Sequence, residues 1–251
     1  MIFDNLKSVQ QRIETAAERA GRRGADVGVV AVVKKAALSD LKSLLESGAV
    51  PYIGENRIQD AERRRQELGL LEKRAVWRFI GHLQANKARR ALELFDRIDT
   101  LDSLRLAQVL DRHLAEQGKR SRVLIQVILA EKETQSGIPL SAVGEFLGQM
   151  RSFPRLEPAG LMAIAPVLDP VEKVRPYFRA AREAFEKNFP EKEARPELSM
   201  GMSQDFEIAV EEGASLVRIG TSLFGNGISR DTADNSTTMG ESNDRKSTCH
   251  P

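Results

Sequence analysis

Two lysines, Lys34 and Lys35, follow directly on the apolar, mostly β-branched run Val29-Val30-Ala31-Val32-Val33. Such a run reads as a strand buried on both faces, as in parallel sheets. In open α/β sheets and βα barrels, ligands sit at the C-terminal ends of such strands. A lysine held partly out of water gives up its proton more readily, and the neutral amine can attack an aldehyde to form a Schiff base. The simpler reading is that both side chains reach solvent where a loop begins. A strand apolar on both faces does not tell by alternation which lysine turns inward. Near the other end of the chain, Gly201 and Ser203 follow one apolar segment, and Gly220 and Thr221 follow the next. Glycines let backbone N–H groups approach an anion, and hydroxyls add donors. Singly these are ordinary turn and cap residues; taken together with Lys34, they describe a site for a phosphorylated aldehyde. Arg218 lies within an otherwise apolar stretch, where an unpaired charge is very costly. It can pair with a carboxylate such as Glu55, or donate to a ring nitrogen of a bound cofactor. In the second role it keeps a pyridine nitrogen unprotonated, which makes the ring a weaker electron sink.

The bulk numbers leave room for this chemistry and exclude others. At 251 residues and 41% hydrophobic content, the chain can bury a substantial core. A net charge of +2 does not suit a dedicated nucleic-acid binder, and Arg63-Arg64-Arg65 sits among acidic residues in a helical, mixed-charge stretch. The single cysteine, Cys249, permits no intrachain disulfide and no cysteine-based metal site. No segment has transmembrane length and no signal peptide is visible, so a cytoplasmic protein without membrane partners is expected.

The elements that must position these residues alternate. Phe3, Leu6, Val9, Ile13, Ala17 and Ala20 mark an amphipathic helix over 3–21. Strands are expected at 27–33, 50–53, 76–80, 95–98, 122–129, 158–164, 198–200 and 215–219, the fifth being the longest. Helices fill nearly every gap, with caps expected at Ser39, at Asp102 or Ser103, and at Ser203. Pro139 and Asp169-Pro170 open two more. Eight β/α units over about 225 residues match a single (β/α)8 TIM-type barrel; a doubly wound open sheet is the alternative. The extra N-terminal helix would cover the barrel's bottom or side. Residues 228–251 are rich in Ser, Thr, Asn, Asp and Gly and cannot offset their ordering entropy by burial, so a disordered tail is expected beyond a domain spanning 1–227.

Several segments resemble one family. They are Val29 to Lys34, Gly54-Glu55-Asn56, Phe79 to Lys87, Leu124 to Val127, Ser136-Gly137-Ile138, Gly160 to Ile164, Leu198 to Ser203 and Val217 to Thr221. Together they look like the pyridoxal phosphate homeostasis proteins, over about residues 5–225. The resemblance implies the barrel of the alanine racemase N-terminal domain. It also implies pyridoxal 5'-phosphate (PLP) as the bound cofactor, held and buffered rather than used in catalysis, with PLP-requiring apoenzymes as recipients. By the same resemblance Lys34 is the Schiff-base lysine, Asn56 lies beside the cofactor, and Ser199, Gly220 and Thr221 contact its phosphate. Arg218 partners the pyridine nitrogen, and Met162 and Met200 line the pocket unless they are plain core residues. A monomer is expected.

The chain departs from that family's pattern at Val33, Ala36-Ala37, Arg78, Ile128 and Gln135, none of which removes the lysine or the phosphate loops. The competing reading is a PLP-dependent amino-acid racemase. It needs a second acid/base facing the lysine, a tyrosine in the alanine racemases, and only Tyr52 and Tyr177 are present. Tyr177 falls in a long helix, and Tyr52 reads as core.

Overall fold

Gly28–Val32 (β1) pairs on one side with Tyr52–Glu55 (β2) and on the other with Leu216–Ile219 (β8), so the first and last strands close the sheet on itself. Between them run Val76–Phe79 (β3), Arg97–Leu101 (β4), Ser121–Ile128 (β5), Leu156–Ile164 (β6) and Glu197–Met202 (β7), each parallel to its neighbours. In this computed structural model, which describes residues 1–130, 136–190 and 195–225, the expected eight-stranded TIM-type barrel is formed. A two-residue strand, Ile138–Pro139, adds to the end of β5. The 228–251 segment, with Cys249 and His250, and Gln135 lie outside the described residues.

Helices occupy the gaps: α1 (Ile2–Arg19), α2 (Leu38–Ser47), α3 (Ile58–Leu68), α4 (Ala88–Leu94), α5 (Leu104–Glu116), α6 (Val143–Met150), α7 (Arg175–Asn188), α8 (Phe206–Glu211) and α9 (Thr221–Phe224). The core lies between this ring and the outward-facing strand residues, where Trp77, Phe178 and Phe206 are fully buried. The N-terminal helix α1 packs on the side of the barrel against α8 and α9. It buries Ile2, Leu6, Val9, Ile13, Ala16 and Ala17, while Phe3 and Ala20, expected in that stripe, point to solvent.

Some expected details are corrected. The longest strand is β6, with nine residues against eight for β5. Of the expected caps only Ser103 acts as one, accepting the Leu106 amide at 3.3 Å. The caps of α2 and α8 are Ala37 and Asp205, in place of Ser39 and Ser203.

Opposite walls of the barrel are tied by charge. Arg78 on β3 donates to both oxygens of Asp99 on β4, at 2.7 and 3.0 Å, and to Glu197 on β7 at 2.5 Å. Because β3 and β7 face each other across the ring, the guanidinium must pass through the interior. The Tyr52 ring lies 5.3 Å from its carbon. Burial alone would favour loss of the Arg78 proton; the two carboxylates more than reverse this and hold it above its ordinary value.

Candidate functional site

The C-terminal ends of the strands surround a cavity of about 450 Å³, within the roughly 300–1,000 Å³ usual for small-molecule sites. Val32, Asn56, Ile80 and Ile164 supply its walls near the ends of β1, β2, β3 and β6. Met202 at the end of β7 and Ser203 and Gln204 in the loop after it add to the wall; Gly220 and α9 close the far side. Of the eight residues expected at a site, Lys34, Asn56, Arg218, Gly220 and Thr221 meet here.

Lys34 and Lys35 are the two central residues of a turn in which the Ala36 amide donates to the Val33 carbonyl at 2.9 Å. The turn ends β1 at the mouth, so both lysines line the cavity and both are exposed. The sequence-based expectation of a partly dehydrated amine is therefore not met by protein packing alone. Any further loss of water at Lys34 must come from an occupant.

Asn56 follows β2 directly, and its amide donates to Glu55 Oε1 at 2.7 Å. Gly81 presses against its backbone so closely that a Cβ there would overlap the Asn56 carbonyl. Glu55 does not pair with Arg218, as one reading of the sequence had it. It points outward to Arg64 on α3, with Nε and Oε2 3.5 Å apart. Alternation along β2 separates Glu55 from the inward positions Gly54 and Asn56.

Arg218 is buried at the cavity floor. Its Nη1 donates to the Ser199 carbonyl at 2.8 Å and the Ser199 hydroxyl at 2.9 Å, and Nη2 donates to the Ala163 carbonyl at 2.8 Å. Among the described residues no carboxylate lies within ion-pair distance, and Nε makes no hydrogen bond. Burial, opposed by the more distant Asp99 and Asp205, brings its pKa down to about 10, so it remains a cation at neutral pH. A buried guanidinium with spare N–H groups, facing a cavity, suits an acceptor atom on a ligand.

The two loops of the far side are locked together. Ser203 Oγ accepts the Ser222 amide at 3.2 Å, and the Ser222 hydroxyl donates to the Ser203 carbonyl at 3.4 Å. Asp205 fixes the first loop by accepting the Met202 amide at 2.6 Å. Burial pushes this carboxyl up, while that bond and Arg218 pull it back. Gly220, Thr221 and Ser222 then open α9, the short helix after the eighth strand that holds phosphate in many barrels.

Three expected residues are elsewhere. Ser199 is fully buried, and its hydroxyl serves Arg218. Met162 lies one inward position below Ile164 and packs on Leu124 and Ala159. Met200 faces outward into the core shared with Phe206 and Ala209. Conversely, Met202, Gln204, Ser222 and Phe224 line the cavity without having been singled out. Only Ser222, a second hydroxyl beside Thr221, had a readable signal. The arrangement places a primary amine, a buried cation with spare donors, and a glycine- and hydroxyl-bearing loop pair around one space. Those groups fit a phosphorylated aldehyde that carries a ring acceptor.

Comparison with known proteins agrees. Residues 5–227 match the family described as alanine racemase, N-terminal domain. The pyridoxal phosphate homeostasis protein of Aquifex aeolicus is 37% identical over 223 residues, covering 88% of this chain and 96% of that one. Its counterpart in Escherichia coli K12 is 36% identical over 234 residues, covering 89% and 96%. The structure of PipY from Synechococcus elongatus, 32% identical, covers 90% of this chain and all of that one, with TM-scores of 0.77 without PLP and 0.75 with PLP bound. Alanine racemase of Clostridium difficile, at 16% identity and a TM-score of 0.65, shares the fold over 58% of its length. The chain belongs to the pyridoxal phosphate homeostasis proteins, a family built on the alanine racemase N-terminal domain.

Proposed function

We propose that the chain binds PLP in the mouth of the barrel through a Schiff base to Lys34, and holds and supplies it without robust catalysis of its own. The observation that carries this reading is the meeting of Lys34, Arg218 and the Gly220–Thr221 loop around one cavity. The relatives' names and the PLP-bound PipY structure point the same way. Bound there, PLP would supply an electrophilic aldehyde and a pyridine ring able to act as an electron sink.

Lys34 would supply, through Nζ, the primary amine that holds PLP at its aldehyde carbon, with the aldehyde oxygen released as water. Arg218 offers an N–H to the ring nitrogen and, as a cation that cannot take up a proton, keeps that nitrogen unprotonated. Gly220 and Thr221 hold the phosphate with backbone and hydroxyl donors at the start of α9. Asn56 lies beside the ring.

One feature supports a carrier over a racemase, which needs a second acid/base facing the lysine. Neither tyrosine lines the cavity: Tyr52 stacks under Arg78 inside the barrel, and Tyr177 sits on α7. The test is an absorption titration with PLP, followed by a panel of amino acids. A saturable yellow complex that leaves D- and L-alanine unconverted is expected. Racemisation at ordinary enzyme rates, about 1 s⁻¹ or faster, would overturn the carrier assignment.

A further inference from the structure

Glu55 and Arg64 form a buried ion pair that does not line the cavity. Its two members reach the backbone on both sides of Lys34's surroundings. Glu55 Oε1 takes the Asn56 amide at 2.7 Å. Arg64 Nη1 donates to the Ala36 carbonyl at 3.0 Å. Ala36 is the residue whose amide closes the Lys34–Lys35 turn onto Val33. A charge on α3 is thus wired to the turn that carries the amine, one strand away.

The pair is costly for a merely structural element. Glu55 is wholly buried and Arg64 is 7% exposed, and packing a comparable apolar pair is often as stable or more so. Glu55 Oε2 and Arg64 Nε face each other at 3.5 Å without an aligned hydrogen bond. Arg64 is therefore committed mainly through Nη1, to Ala36.

We propose that Arg64 is a positioning residue for Lys34: by holding the Ala36 carbonyl it sets the direction in which the amine leaves the end of β1. This rests on the PLP reading above and deepens it. The step affected is the addition of Nζ to the aldehyde carbon with loss of water. The cavity that takes the phosphate and ring is built from other residues and stays intact. Holding a nucleophile in a reactive geometry is worth far more than the bond that holds it.

The test compares wild type, Arg64→Met and Arg64→Lys, each titrated with PLP and with pyridoxine 5'-phosphate, which carries an alcohol in place of the aldehyde. Arg64→Met leaves Glu55 free to protonate and keep the Asn56 contact. It should bind PLP about tenfold more weakly and form the Schiff-base absorption more slowly. Pyridoxine 5'-phosphate should bind within twofold of wild type. Arg64→Lys, which keeps the charge beside Glu55, should recover part of the loss, and it carries the comparison if the methionine variant fails to fold. Unchanged PLP binding and imine formation would overturn the proposal. So would an equal loss for both ligands, which would make Arg64 a support of the whole mouth. A wild-type protein that binds neither ligand would instead defeat the PLP reading itself.

Discussion

Arg218 spends one nitrogen on both oxygens of a single neighbour: Nη1 lies 2.8 Å from the Ser199 carbonyl and 2.9 Å from its hydroxyl. Ser199 therefore aims the guanidinium and has no hydroxyl left facing the cavity. Ser199→Ala removes one of two acceptors at that nitrogen, and about 1 kcal/mol of stability should go with it. PLP affinity should fall less than about threefold, since Arg218 keeps its other two bonds. Arg218→Met should weaken PLP binding by tenfold or more. Calorimetric titration of both variants separates the roles, and a large loss in Ser199→Ala would return Ser199 to the phosphate.

The Arg78 guanidinium is the one tie between β3 and β7 that crosses the barrel among the described ion pairs. Arg78→Met strands Asp99 and Glu197 without their cation, and breaking a buried pair in this way costs about 3–5 kcal/mol. Arg78 does not line the cavity. Urea unfolding should show that loss, while whatever remains folded binds PLP with near wild-type affinity.

Gly81→Ala would drive a methyl group into the Asn56 backbone. Relief requires a shift of the Asn56 segment, because the obstacle is backbone and not a flexible side chain. The variant should lose about 1–3 kcal/mol in thermal or urea unfolding, and PLP should bind more weakly as Asn56 moves. Equal stability and affinity would show that the loop after β3 yields instead.

Arg175 pairs with Glu211 and Glu212, and Arg19 and Arg179 add to the same carboxylates. Partial burial pushes both carboxyls up, but the arginine hydrogen bonds outweigh it and hold them below their ordinary value of 4.5. A depressed carboxylate contributes stability above its unfolded pKa and loses it as pH falls through the folded one. Arg175→Gln should therefore cost about 1 kcal/mol near pH 7, and that difference should shrink towards zero below about pH 4. A cost independent of pH would mean that packing, not charge, links α7 to α8.

Much of this was legible in the sequence, and the failures share a cause. Alternating β and α segments specified the barrel, because each apolar run was too short for a helix and ended in turn residues. Lys34, Gly220 and Thr221 were visible because polar or glycine residues at strand ends stand out. Facing was not visible: barrel strands are apolar on both sides, so Met162, Met200 and Ser199 carried no sign of direction. The partner of Glu55 was also hidden. Arg64 reads as one of three arginines on a charged helix face, and only the packing of α3 turns it inward. Ser203 resembled a helix cap, but Asp205 took that position and freed its hydroxyl to bind the second loop.

The most direct measurement is borohydride reduction of the PLP-loaded protein followed by peptide mass mapping. The reduced cofactor should sit on Lys34, vanish in Lys34→Ala and persist in Lys35→Ala. A label on Lys35, or none on either lysine in protein saturated with PLP, would contradict the account.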